Sequence, residues 1–462
     1  MADSLLNSFE RVHAATRRNR LADVATRRRR LAALRRLVVE NRAEIARAID
    51  ADFGGRAQVE SELLEIVPLL LAVRHATRHL GRWMRDERRP VALPFQPARA
   101  WVRYEPLGVI GIVSPWNYPL LLSLGPLVDA LAAGNRAMLK PSELTPAFSE
   151  LLERLVAAAF EDDEVLVVTG GVDVAEAFTA LPFDHLVFTG STAVRHRVME
   201  AAARNLTPVT LELGGKSPAI VAADFPLPEA ARSIVLGKFT NAGQTCIAPD
   251  YVLAPAARVE ALAREILAGV GRAYPDLQQN TQYSSIITQR HRDRLEAALD
   301  EARLGGARIL RPEGAGEGPK FPPAIVLDAP EDSLLLTEEI FGPVLPIVPY
   351  RDLNEALDFI NARPRPLALY AFTNDRAAQA KVLDGAISGG VTLNGTLLHI
   401  AQSTLPFGGI GASGIGAYHG WHGFRRFSHV RAVYKPGRFS ALEHLGPPFG
   451  RLARLAIRSL GR

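Results

Sequence analysis

From Gly108 onward the chain repeats one unit: a short apolar run, a turn, a stretch of helical period, and another apolar run. Residues 108–113, 137–139, 165–168, 185–188 and 209–213 are apolar without strict alternation, the mark of strands buried on both faces. Between the first two lies a helix, 126–133, stopped by Gly134. Strands joined through helices of this length require right-handed crossovers. The fold class is therefore α/β with a largely parallel sheet. Such sheets bind ligands beyond the carboxyl ends of their strands, which says where to look for chemistry.

Residues 1–87 read as helices, with apolar residues at three- and four-residue spacing over 30–52 and 61–83. Prolines between 90 and 97 break the pattern, and 98–104 reads as an extended strand leaving the first domain. A second α/β region begins after Gly214-Gly215, with helices at 256–273 and 353–362 and strands near Ile325, near Val344 and at 369–372. Residues 405–423 are glycine-rich.

A chain of 462 residues, 48% hydrophobic and 22% charged, is globular and long enough for two or three domains. No run approaches eighteen apolar residues, so no membrane span is expected. The polar, arginine-rich first twenty residues lack the apolar core of a secretory signal, which makes the cytoplasm the expected compartment. Of the 54 basic residues only six are lysine. The densest arginine cluster, 17–36, is interleaved with Leu21, Leu31, Leu34 and Leu37 at helical spacing. That is a solvated helix face, and no nucleic-acid-binding motif accompanies it. The eleven histidines show no ligand-spaced pair with a carboxylate, so no metal site is expected.

Cys246 is the only cysteine, which excludes an internal disulfide and a paired-cysteine redox motif. It is either buried filler or a nucleophile. Its flank, Thr240-Asn241-Ala242-Gly243-Gln244, is small and polar, with a glycine that lets backbone approach a ligand. Pro115-Trp116-Asn117-Tyr118-Pro119 follows a strand, and holds an amide out beyond its end or forms a rigid turn. Lys140-Pro141-Ser142-Glu143 also follows a strand, as a ribose-binding pair or a surface salt bridge. Phe188-Thr189-Gly190-Ser191 is a strand, a glycine and a helix start, suited to phosphate. Glu212 ends an apolar strand beside Gly214-Gly215, as a base of raised pKa or the partner of Lys216. Glu338-Glu339-Ile340-Phe341-Gly342-Pro343 precedes a strand and could be only an acidic turn.

Together, in order and spacing, these motifs resemble the aldehyde dehydrogenase superfamily from about Arg28 to His429. Residues 206–218, 243–253 and 405–420 resemble its class 3 branch. Thr396-Leu397-Leu398-His399 and Tyr418-His419-Gly420 are most similar to the coniferyl aldehyde dehydrogenases of that branch. The resemblance implies a Rossmann-type NAD-binding domain (1–87 and 107–212), an α/β catalytic domain (213–411), and a bridging arm (88–106 and 412–462) that builds a homodimer or homotetramer. It implies Cys246 as nucleophile, Glu212 as general base and Asn117 as oxyanion donor. Trp116, Lys140, Glu143, Gly190, Ser191, Glu339 and Phe341 fall on cofactor-binding positions. The implied reaction is NAD-dependent oxidation of an aldehyde, aromatic or medium to long aliphatic, to the acid through a thioester. NADP would be used more weakly. Alternatives are a CoA-acylating dehydrogenase, disfavoured by Glu212, and a non-catalytic protein on the same fold.

One position departs from the family's Gly-x-x-x-x-Gly: Arg195 stands five residues after Gly190, where its side chain would crowd the helix or reach the cofactor phosphates. Tyr118, Ile247 and His399 are nominated as lining of the aldehyde tunnel. In the tail, 440–462, Leu452, Leu455, Ala456 and Leu460 recur at helical spacing among Arg451, Arg454 and Arg458. The tail is expected to dock on its own subunit or a partner rather than lie on an anionic membrane.

Overall fold

The computed structural model describes residues 2–316, 318–438 and 445–460. Positions 440–444, 461 and 462 of the tail read above lie outside them. Three sheets organise the chain. The first has six strands in the order Gly414–Ile415, Val209–Leu213, His185–Gly190, Val109–Val113, Arg136–Lys140 and Val165–Val167, parallel except for the first. The chain leaves Val109–Val113 toward one edge, then returns to build the other side. The carboxyl ends of Val109–Val113, Arg136–Lys140 and His185–Gly190 thus flank the switch point where such sheets open a ligand crevice.

The second sheet has seven strands, ordered Arg308–Leu310, Ala324–Leu327, Val344–Tyr350, Tyr251–Pro255, Pro218–Val221, Ala368–Phe372 and Gly390–Leu393, with only the first antiparallel. The third is antiparallel: Glu87–Arg89, Arg99–Pro106 and Ser428–Lys435. The segment 412–462 therefore does not act as one piece. Residues 414–415 join the first sheet beside Glu212, and only 428–435 joins the third.

The helix read at 126–133 runs Pro119–Ala133, seven residues longer at its start. Pro126 sits in its interior, where proline usually ends a helix, and this hid the first two turns from a periodicity reading. Pro119 is tolerated at the first position because its missing N–H would be unpaired there. Glu65 supplies the other N-terminal acceptor, taking the N–H groups of Leu120 at 2.8 Å and Leu121 at 3.2 Å. Gly134 closes the helix in the left-handed region at φ 93°. Nearly every side chain of this helix is buried, so it is the central beam between the first sheet and the N-terminal helices Val24–Glu40 and Val67–Trp83.

The tail helix spans Arg451–Leu460. Its stripe does not face the subunit: Leu452 and Leu455 are exposed, and Ala453 is the buried position. Among the described residues no helix is long and apolar enough to cross a membrane.

Candidate active site

The segment before Cys246 departs from ordinary backbone. Asn241, Ala242 and Gly243 take φ values of 52°, 49° and 75°, three left-handed residues in a row. Two of them carry a Cβ, at a cost of order 1–3 kcal/mol each, so surrounding contacts must hold them. Asn241 Nδ2 donates to Asn117 O at 3.0 Å and Gln244 O at 3.2 Å. Gln244 Nε2 donates to Asn241 O at 2.9 Å and Ser285 O at 3.0 Å, while its Oε1 accepts from Ile287 N. The hydroxyls of Tyr118 and Thr245 lie 2.7 Å apart. A side chain at Gly243 would collide with the backbone of Gly342, so this glycine is required by φ and by close approach.

Behind this loop lies a buried ion network. Arg56 is fully buried, donates to Asn117 O at 2.9 Å, and pairs with Glu65 at 3.2 Å and Glu60 at 3.5 Å. Its guanidinium also covers the Phe53 and Tyr118 rings. Burial pushes the Glu65 carboxyl up to about 7, against the pull of Arg56 and two backbone N–H groups. These positioning residues escape a sequence reading, because charged residues at helical spacing look like a solvated face. The only signal was Glu65 within an otherwise apolar stretch.

Asn117 stands where the loop after strand Val109–Val113 meets the Cys246 loop, its Nδ2 donating to Gln244 O at 3.1 Å. Cys246 is half-buried and its thiol is free. Burial raises its pKa first, then the nearby Glu339 and Glu212 carboxylates, while the N–H groups of Cys246 and Ile247 pull it down. At rest the sulfur is therefore a thiol with two backbone donors ready for a thiolate. Glu212 is buried, and neither of its carboxyl oxygens has a hydrogen-bond partner among the described residues. Burial alone pushes it well above the ordinary carboxylate range. The ion pair with Lys216 does not form. Lys216 Nζ instead joins Asp250 and the carbonyls of Leu335 and Glu338.

Glu339 and Phe341 come to the same place through Asp250, which accepts from Ile340 N at 3.2 Å and pairs with both Lys216 and Lys238. The Glu339 carboxyl lies over Gly214, where any Cβ would overlap it. Burial, then the Asp250 charge, push Glu339 up to about 8, and its Oε1 has no partner among the described residues. Phe341, at φ 48°, sets its ring edge-on to Trp116 at 5.4 Å, and Trp116 also meets His291 and Phe53.

Around the switch point, Lys140 is buried, with Nζ 2.8 Å from Pro141 O and 4.0 Å from exposed Glu143. Gly190 ends its strand beside buried Thr189, whose Oγ1 has no partner among the described residues, and Ser191 follows in the exposed turn before helix Arg195–Ala203. Strand order thus sets Lys140 and Glu143 on one side, and Gly190 and Ser191 on the other, of the carboxyl end of Val109–Val113. Arg195 is turned elsewhere: its guanidinium donates to Ala412 O at 3.1 Å. The unpaired Thr189 hydroxyl and Glu339 oxygen, with side-chain-free Gly190 and Gly214 beside them, suit a dinucleotide laid across these strand ends.

An apolar cavity of about 300 Å³ opens onto Cys246. Tyr118 and Ile247 line it. His399 does not: it turns into the protein, its Nδ1 2.9 Å from Thr392 Oγ1. Leu397, at φ 65°, reverses the chain just before it, and His419 occupies the wall instead.

Comparison with known proteins meets this geometry. A model of the aldehyde dehydrogenase family matches residues 5–433. A protein of Pseudomonas aeruginosa named probable coniferyl aldehyde dehydrogenase is 49% identical over 452 residues, 98% of this chain and 95% of its own. A coniferyl aldehyde dehydrogenase of another Pseudomonas is 43% identical over 94% of this chain and 91% of its own. The structure of Staphylococcus aureus AldH in its substrate-bound state superimposes with a TM-score of 0.93 at 36% identity, covering 99% of both chains. The NAD+ complex of a Bacillus cereus aldehyde dehydrogenase superimposes at 0.81 and 26% identity, over 90% of this chain and 84% of that one. A match over nearly the full length, on a fold that converges on one thiol, places the chain in the aldehyde dehydrogenase family of oxidoreductases.

Proposed function

We propose that the chain oxidises an aldehyde to the free carboxylic acid, with NAD as hydride acceptor and Cys246 as nucleophile. The observation that carries this is a lone half-buried thiol that opens onto an apolar cavity and lies near a buried carboxyl without partners. The N–H groups of Cys246 and Ile247 favour the thiolate that attacks the carbonyl carbon. Asn117 Nδ2 and the Cys246 N–H stabilise the oxyanion, and losing one such donor costs roughly two to three orders of magnitude in rate. Bound NAD would supply the acceptor for the hydride leaving the substrate carbon. Lys140 and Glu143 would hold its adenosine ribose, Gly190 and Ser191 its phosphates, Trp116 would flank it, and Glu339 and Phe341 would hold the nicotinamide ribose. Glu212 acts in its ionised form, which burial makes scarcer at neutral pH but a stronger base, and takes a proton from the water that releases the acid from sulfur.

Relatives named for coniferyl aldehyde favour an aromatic substrate on a short unsaturated chain, and a largely apolar cavity of about 300 Å³ supports that reading. We assign homodimer or homotetramer assembly to the three-stranded sheet, whose strands carry mostly exposed or half-exposed side chains. The test is NADH formation over a panel of aromatic and long aliphatic aldehydes, with and without coenzyme A, and product analysis. Free acid without coenzyme A is expected. NADH only when coenzyme A is present, or none with any aldehyde, would overturn the reading.

A further inference from the structure

The cavity wall contains an acid that the reaction does not use. Asp129 lies on helix Pro119–Ala133, is 3% exposed, and lines the same cavity as Cys246. The cavity-lining residues of this helix region are Tyr118, Leu121, Leu122, Gly125 and Asp129, an i, i+3, i+4, i+7, i+11 pattern, so the cavity follows one helix face. Tyr118, bonded to Thr245 next to Cys246, marks the end near the nucleophile. Asp129 lies eleven residues on, about 16 Å along the axis at 1.5 Å per residue. Side chains reaching in from both ends leave room between them for an aromatic ring on a short chain.

One oxygen of Asp129 has a structural duty. Oδ2 accepts the His419 N–H at 3.0 Å and faces Gly423, where a Cβ would come within 2.7 Å of the Asp129 Cβ. The Gly420 N–H also pulls on this carboxyl, but among the described residues only the His419 N–H comes within full hydrogen-bond geometry of it, which leaves Oδ1 facing the cavity. Burial pushes the carboxyl up to about 8, so at neutral pH it largely keeps its proton and offers an O–H. Beside it, His419 is held at φ 85°, stacked on Phe407, with burial pushing its imidazole down to about 4. Two neutral polar groups therefore share the far wall of a largely apolar cavity, whose other polar side chains are the hydroxyls of Tyr118, Thr240, Thr245, Thr396 and Ser403. An apolar aldehyde gives them nothing to bond. A hydroxyl does.

Resting on the aldehyde-oxidising reading, we infer that Asp129, with His419 beside it, is a specificity-determining residue that hydrogen-bonds a hydroxyl at the far end of the substrate. The favoured class is hydroxylated aryl aldehydes, phenolic ones foremost. A capping role alone would need only Oδ2, which an asparagine oxygen can replace.

The test compares kcat/KM for 4-hydroxycinnamaldehyde and cinnamaldehyde. The wild type is expected to prefer the hydroxylated aldehyde by about tenfold to a hundredfold, the range for one buried hydrogen bond made or left unpaired. Asp129→Leu should collapse this ratio toward one, and Asp129→Asn, which keeps a donor, should restore most of it. A wild type without preference, or an Asp129→Leu variant with the ratio unchanged, overturns the inference while leaving the aldehyde reading intact. NADH from neither aldehyde overturns both. If Asp129→Leu does not fold, inhibition of the wild type by 4-hydroxycinnamyl and cinnamyl alcohols decides: tighter inhibition by the former supports the inference, and equal inhibition overturns it.

Discussion

Replacing Gly243 by alanine tests whether the strained loop before Cys246 sets the reactive geometry. The new Cβ would stand 2.5 Å from the Gly342 carbonyl carbon and closer still to its oxygen, with Lys238 O at 3.0 Å. Non-bonded carbons prefer about 3.5–4.0 Å, and all three atoms are backbone, so no rotamer relieves the contact. The Cys246 loop and the Glu339–Gly342 turn must therefore separate by about 1 Å. A φ of 75° costs a residue with a Cβ roughly 1–2 kcal/mol, and overpacking adds about 1–3 kcal/mol. A displacement of about 1 Å at reacting groups costs on the order of a hundredfold in rate. Gly243→Ala should thus lose about two orders of magnitude in kcat/KM and about 2–5 kcal/mol of stability, read by steady-state kinetics and denaturant titration. Gly271, inside helix Val259–Ala273 with nothing within 4 Å of an added Cβ, is the control. Gly271→Ala should stabilise by about 0.5–1 kcal/mol and keep wild-type kinetics. A Gly243→Ala enzyme with wild-type kcat/KM would refute the reasoning.

Arg56→Met strands Glu65 without its cation, and breaking a buried pair costs about 3–5 kcal/mol. The loss should be smaller in acid, where Glu65 can take a proton; equal denaturant midpoints for variant and wild type across pH would contradict the network. For Glu339 the sign follows from a folded pKa raised from 4.5 to about 8. Its contribution to stability is present below the unfolded value and lost as pH rises toward 8, so Glu339→Gln should flatten the fall in stability across that window. An unchanged slope would mean the carboxyl is not held protonated. NAD should be preferred to NADP, because Glu143 would face a 2′-phosphate with like charge, and Glu143→Gln should narrow the preference. Equal kcat/KM for both cofactors in the wild type would remove Glu143 from that role.

The α/β alternation was legible because buried parallel strands are apolar runs closed by glycine or proline, as at 109–113 and 209–213. Residues near strand ends were legible for the same reason, so Asn117, Lys140 and Gly190 could be located before their contacts were known. The helix start at Pro119 was hidden by Pro126, a residue whose local preference the surrounding core overrides. Arg56 and Glu65 were invisible because burial of a charge depends on a partner distant in sequence, here the loop carrying Asn117. His399 and His419 could not be told apart, since left-handed backbone at Leu397 and at His419 itself turns each side chain away from where regular structure would send it. The tail's periodicity foretold a helix but not its facing: the apolar stripe needs a partner surface, and the sequence does not name one.

The covalent role proposed for Cys246 and the hydrolytic role proposed for Glu212 meet in one experiment. Glu212→Gln cannot take a proton from water, so acylation should outrun release. Mixed rapidly with NAD and aldehyde, this variant should give a burst of NADH near one equivalent per site and then slow turnover. Peptide mass spectrometry of the trapped protein should place the acyl group on Cys246, and Cys246→Ala should yield neither burst nor adduct. NADH formation by Cys246→Ala, or an acyl group on any other residue, would contradict the account.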